Sequence, residues 1–137
     1  MSLYLCIFKA EEEVDGLEVG SYSDFGYFRD IVIDKLEAGK AGSRFPTLIR
    51  HSDCDGAWSV EEARQLQAEL EEIALAFRNL PPEGAHAEWQ RHLAKTLGLR
   101  FETLYDGFID VDGEPLLERL IGLCKLSQKL GEPILFQ

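Results

Sequence analysis

The run that follows Ser59 is the firmest constraint on how this chain can fold. Val60, Ala63, Leu66, Leu70, Ile73, Phe77 and Leu80 recur at spacings of three and four, and Glu61, Glu62, Glu69 and Glu72 fall mostly off that stripe. This period is that of one face of an α-helix laid on a core. Ser59 and Glu62 stand at the S-x-x-E spacing, at which each side chain satisfies a backbone N–H of the first turn. Pro81 and Pro82 end the helix, since proline has no N–H with which to continue it. The stripe covers too few heptads for a coiled coil, so its partners must come from the rest of the chain.

The stretch leading into that helix is Phe45 to Ser59, FPTLIRHSDCDGAWS. Phe45, Thr47, Leu48 and Ile49 read as a short buried strand, with Pro46 tolerated at its beginning. His51, Ser52, Asp53, Cys54 and Asp55 then crowd into a polar loop, and Gly56 permits a turn. A polar loop between a strand and a helix is a common place for function.

Elsewhere the elements alternate. Ser2 to Lys9 is rich in Leu, Ile, Tyr and Phe and reads as a largely buried strand. Ala10 to Gly20 holds Glu11, Glu12, Glu13, Asp15 and Glu18 and no base, which predicts a solvated loop with a short edge strand at Leu17 to Val19. Phe25, Phe28, Val32 and Leu36 predict a helix from Asp24 to about Glu37, capped by Ser21 or Ser23. Ala87 to Leu97 is a further helix stopped by Gly98. Leu99 to Tyr105 fits a strand or an irregular bridge. Pro115 suits a first helical position, Leu116 to Leu130 continue the helix, Gly131 ends it, and Pro133 to Gln137 form a terminal strand. The expectation is one α+β domain over residues 1–137, a small mixed sheet with about four helices packed against it, and with the strands at Ser2, Phe45 and Pro133 at its centre.

Charge is the strongest global fact. The formal net charge is −11, which argues against nucleic acid and anionic membrane as partners, because both need positive charge to replace counterions. It suits a basic partner, or solubility alone. No stretch approaches the roughly 20 apolar residues that span a bilayer. The start, MSLYLCIFKAEEE, lacks the basic region of a signal peptide and reads as a strand. Three widely spaced cysteines, Cys6, Cys54 and Cys124, fit reduced thiols in the cytosol.

Several chemistries find some of their residues in this chain. Asp53 and Asp55, or Asp110, Asp112 and Glu114, offer carboxylates to a hard cation, but the full calcium-loop pattern is not met, and aspartates also cap turns. His51 and Cys54 lack a second ligand pair at zinc spacing, and His86 and His92 do not supply one. Cys54 with His51 as base is opposed by Asp53 and Asp55, whose charge raises a thiol's pKa. Neither phosphate-binding glycine motif is present, and Gly39 to Pro46 is a loop. No cofactor or metal is therefore expected. The reading that fits best is an acidic partner-facing side made by Glu11, Glu12, Glu13, Asp53, Asp55 and Asp112, with Tyr22 and Trp58 as aromatic anchors. Half-buried packing explains those two aromatics equally well. The alternative from another class is a small metal-dependent or hydrolytic enzyme using the Asp53/Asp55 and Asp110/Asp112 loops.

The segments LYLCIF, GSYSDFGYFRD, GSRFPTLIRHSDCDGAWS, DGFIDVDGEPLLERL and PILFQ together resemble the immunity protein 70 family of bacterial polymorphic-toxin systems, nearly end to end. The resemblance implies a small cytoplasmic antidote that binds and blocks a cognate toxin, and that is not an enzyme. It brings no catalytic residues with it.

Overall fold

The computed structural model describes residues 2–52, 54–83 and 87–137. In chain order its elements are β1 (Ser2–Lys9), β2 (Glu12–Ser21), α1 (Tyr22–Leu36), α2 (Pro46–Ile49), β3 (Ala57–Trp58), α3 (Val60–Phe77), α4 (Glu88–Leu97), α5 (Leu116–Leu130) and β4 (Ile134–Phe136). The strands form one sheet in the order β2-β1-β4-β3, and each neighbouring pair is antiparallel. The architecture is α+β, as expected.

The acidic stretch expected as a loop is instead most of β2. A two-residue turn joins it to β1, with Ala10 and Glu11 both left-handed at φ 52 and 67. This is the turn whose twist matches a hairpin, although Asn-Gly is its usual sequence. Forcing L-residues into it costs roughly 1–2 kcal/mol each. The pairing is sustained by Leu17 and Val19, both buried in the core. Register shifts between Leu3 and Tyr4 and between Ile7 and Phe8 leave Val19 and Val14 unpaired. Val19 turns inward, while Val14 stays 48% exposed.

The strand expected at Phe45 is also corrected. Pro46 to Ile49 is a one-turn helix with proline at its start, where the missing N–H and fixed φ do no harm. Two distant carboxylates select this form. Glu69 on α3 accepts from the amides of Thr47 (3.1 Å) and Leu48 (3.0 Å), which a helix leaves without partners inside itself. Buried Glu37 accepts from the amides of Gly42, Arg44 and Phe45 and shapes the approach.

The remaining helices follow the sequence closely. Ser59 and Glu62 form the expected reciprocal cap, at 3.1 and 3.0 Å. Ser21 and Asp24 make a second one for α1, at 3.0 and 2.7 Å. Gly98 and Gly131 close α4 and α5 in the left-handed conformation. Residues between α4 and α5 form no strand; the amides of Leu104 and Tyr105 dock on the carbonyls of Leu80 and Phe77 at the end of α3. One hydrophobic cluster unites Leu3, Leu5 and Ile7 of β1 with Phe28 of α1, Leu70 of α3 and Leu120 of α5. All of these side chains lie on one face of the sheet, because residues two apart on a strand share a face.

Candidate interaction surface

The expected site residues fall into three places. The first is the tip of the β1–β2 hairpin. Glu11, Glu12 and Glu13 are exposed there, and among the described residues none of them joins an ion pair. Lys9 pairs with Glu12 across the ladder, but its ammonium goes to the Leu130 carbonyl (3.2 Å) and the Glu132 carboxylate (3.7 Å). Glu13 accepts the Tyr4 hydroxyl. Burial first, and then that bond, push the Tyr4 pKa up to about 12.

The second place is the turn from Asp110 to Glu114. Asp110 is 1% exposed. Its Oδ1 accepts from the amides of Asp112 (2.9 Å) and Glu114 (3.0 Å). Its Oδ2 lies 3.6 Å from Arg119 Nε, and Arg119 also donates to the Gly16 carbonyl and reaches Asp15. One guanidinium thus ties α5 to both β2 and the turn. Asp112 is exposed, and the Val111 amide donates to the Glu18 carbonyl of β2. Tyr22, half-buried at the start of α1, follows directly from the end of β2. Tyr22 therefore sits at the opposite end of β2 from its acidic tip, a strand length of roughly 30 Å, and Asp112 lies beside Glu18, roughly 20 Å along it.

The third place is the loop before β3. Asp55 is exposed there, and Asp53 lies outside the described residues. Trp58 is in the core: its Nε1 donates to the Thr47 carbonyl at 3.1 Å, and its ring meets Phe136 at 4.7 Å and His51 at 5.0 Å. The packing explanation holds for Trp58. His51 stacks on Phe136 at 4.4 Å, and its ring nitrogens face the carbonyls of Ser52 (2.8 Å) and Ala57 (2.9 Å). Neither nitrogen is turned to Cys54, whose Sγ instead meets the Ser52 hydroxyl at 3.6 Å. The cysteines are not bonded to one another. Burial raises the thiol pKa of Cys6, and takes that of Cys124 to about 12.

Topology keeps these places apart. Phe136 donates its amide to the Gly56 carbonyl, so the loop opens at the end of the sheet where β1 begins, away from the hairpin tip. The Asp55 loop follows the β3 edge, while the Asp110 turn follows the β2 edge, three strand spacings or roughly 14 Å across. Asp55 and the carboxylates of the Asp110 turn do not converge. Among the described residues no three metal-ligating side chains come together.

Sequence reasoning missed the second face of the sheet. Tyr4, Cys6 and Phe8 point to it from β1, with Leu135 and Ala57 alongside on β4 and β3. None of the five belongs to the cluster that the helices build on the opposite face. Cys6 is covered, while the other four are partly exposed. The Tyr4 ring lies across Gly16, where any Cβ would collide with it. The signal was available in LYLCIF: a strand apolar at odd and even positions alike has a second apolar face to account for.

Fold and surface define a small α+β domain that presents carboxylates without ion-pair partners among the described residues and partly exposed aromatic rings. The chain belongs to the Immunity protein 70 family, which it matches over residues 3–136. No curated protein and no solved structure matches it. Family membership supports an immunity protein that binds a cognate toxin, in agreement with the motif resemblance. Among the described residues no helix is long and apolar enough to cross a membrane.

Proposed function

We propose that this chain acts in the cytoplasm, binds a basic toxin of a polymorphic-toxin system and blocks it, and that the acidic hairpin tip draws the toxin in. The observation that carries this reading is the run Glu11 to Glu13, exposed and without an ion pair among the described residues. Acids that are not neutralised within their own fold project a field, and that field speeds encounter with a basic protein. A nuclease fits this charge best, since an enzyme that holds phosphates must itself be locally positive. Tyr22 at the far end of β2, Asp112 beside Glu18 and Asp55 across the sheet are candidate outer contacts for a large partner, and so is Asp53, which lies outside the described residues. Trp58 contributes from within, by holding the base of the Asp55 loop. The enzyme alternative would require the two aspartate loops to meet, and their placement on opposite edges of the sheet gives it no support.

The test is surface-immobilised kinetics with the toxin module encoded beside this chain. Reversing Glu11, Glu12 and Glu13 to lysine should lower the association rate about tenfold at low salt and flatten its salt dependence. Unchanged association at two ionic strengths would remove the hairpin from the encounter. No binding by the unaltered chain would remove the immunity reading.

A further inference from the structure

We propose that the face of the sheet turned away from the main core is where the toxin docks, and that its occupant is a basic segment of the toxin lying across Tyr4, Phe8 and Leu135. This rests on the immunity reading above and names the surface it leaves open. Residues directly paired across an antiparallel ladder share a face. Glu13 pairs with Phe8 and Glu18 with Tyr4, so both carboxylates rise on the β2 side of this apolar strip. No strand residue on the face is basic. The strip therefore has aromatic and aliphatic surface at its middle and, along one edge, carboxylates that no cation among the described residues pairs with. That combination fits a segment whose Lys or Arg side chains lay their methylene stems on rings and their cations against carboxylates.

Charge also selects among occupants. A second copy docked about a two-fold axis would bring the same acid-bearing patch against itself, with no base on its strands to answer Glu13 and Glu18, on a chain of net charge −11. The competing surface is a groove of about 890 Å³ between α3 and α5, where Leu75 is 65% exposed. It carries both signs, Glu71, Glu72 and Glu118 with Arg78 and Lys125, with Glu72 paired to Arg44, and so offers no single charge to match. Arg78 there is already stacked on Tyr105 at 4.3 Å.

Three variants decide the matter against the same neighbour-encoded toxin module. Glu18→Lys alters charge on the face beyond the hairpin tip; Phe8→Ala removes apolar surface; Glu71→Lys with Glu118→Lys changes net charge and tests the rival groove. Glu18→Lys should slow association about tenfold at low salt, and Phe8→Ala should speed dissociation about tenfold. The groove variant should stay within about twofold on dissociation. Circular dichroism confirms folding of each, and Glu18→Lys, made at a partly exposed position, decides the question should Phe8→Ala not fold. Unchanged kinetics in Glu18→Lys and Phe8→Ala, or loss of binding in the groove variant, overturns the proposal while leaving the immunity reading standing. A chain that sediments as a dimer, and as a monomer once Phe8 is replaced, overturns it in favour of a second copy. An unaltered chain that does not bind the module overturns the immunity reading, and this inference with it.

Discussion

The hairpin tip and the Asp110 turn look alike as sequence: each is a short run dense in acids beside a strand or helix boundary. In the folded chain they are opposites. Asp110 is buried, holds two backbone amides and lies against Arg119, which is 30% exposed at its side chain. Glu11 and Glu12 stand in solvent with no ion-pair partner among the described residues, and the exposed Glu13 likewise has no cation there, accepting from the Tyr4 hydroxyl instead. A carboxylate committed to amides and a cation organises its own chain; one left uncommitted is available to another molecule. Composition cannot make this distinction, because what decides it is whether a cation from another element arrives.

The largest expected effect separates the two directly. Asp110→Ala strips the turn of its amide acceptor and leaves Arg119 facing a buried gap, so it should destabilise by about 3 kcal/mol, at the low end for a broken buried pair because Arg119 is partly solvated. A denaturant midpoint within error of the unaltered chain would erase the contrast. Next comes the tip itself. Replacing Ala10 by Asn and Glu11 by Gly relieves two left-handed L-residues and should raise stability by about 2 kcal/mol while slowing toxin association. A tip variant that gains stability and loses binding would mark the strain as kept for function.

Ser59→Ala gives an intermediate step of roughly 1 kcal/mol, measured by the same titration. It measures the Ser59 hydroxyl's half of the cap, while the Glu62 carboxylate, a third kind of acid, keeps its bond from the residue 59 amide. The smallest effect should be Glu12→Lys, within about 0.5 kcal/mol of the unaltered chain. A larger loss would show that the tip has a structural partner after all. Alkaline titration sharpens the picture from another side. The Cys124 pKa of about 12 in the folded state lies above its ordinary value of 9.0. The folded chain thus holds a proton that the unfolded one releases. This contribution is full below about pH 9 and is lost as pH rises toward 12. Cys124→Ala should remove that part of the alkaline fall in melting temperature.

What the sequence made legible was local. Ser59 with Glu62, Gly98, Gly131 and the apolar period of α3 each act within a few residues, and all are found where expected. Pro46 was ambiguous because proline opens strands and helices alike, and the residues that decide, Glu37 and Glu69, lie far along the chain. β2 was hidden because Ala-Glu is an unusual turn pair and two register shifts break its alternation. The exposure of Glu11 to Glu13 could be read from a charge run without bases. Which acids share a side could not, since that follows from strand order alone.

The position of β4 bears on when protection begins. Residues 134 to 136 form an inner strand, the link between β1 and the pair of residues that make β3. The hairpin can close as soon as it leaves the ribosome, but β1 waits for its other neighbour until synthesis has passed Phe136. At cellular elongation rates that is a delay on the order of ten seconds, during which one edge of β1 stays unpaired. Antidote activity should therefore switch on late and all at once with completion of this segment, and shortening the chain before Ile134 should abolish it rather than weaken it.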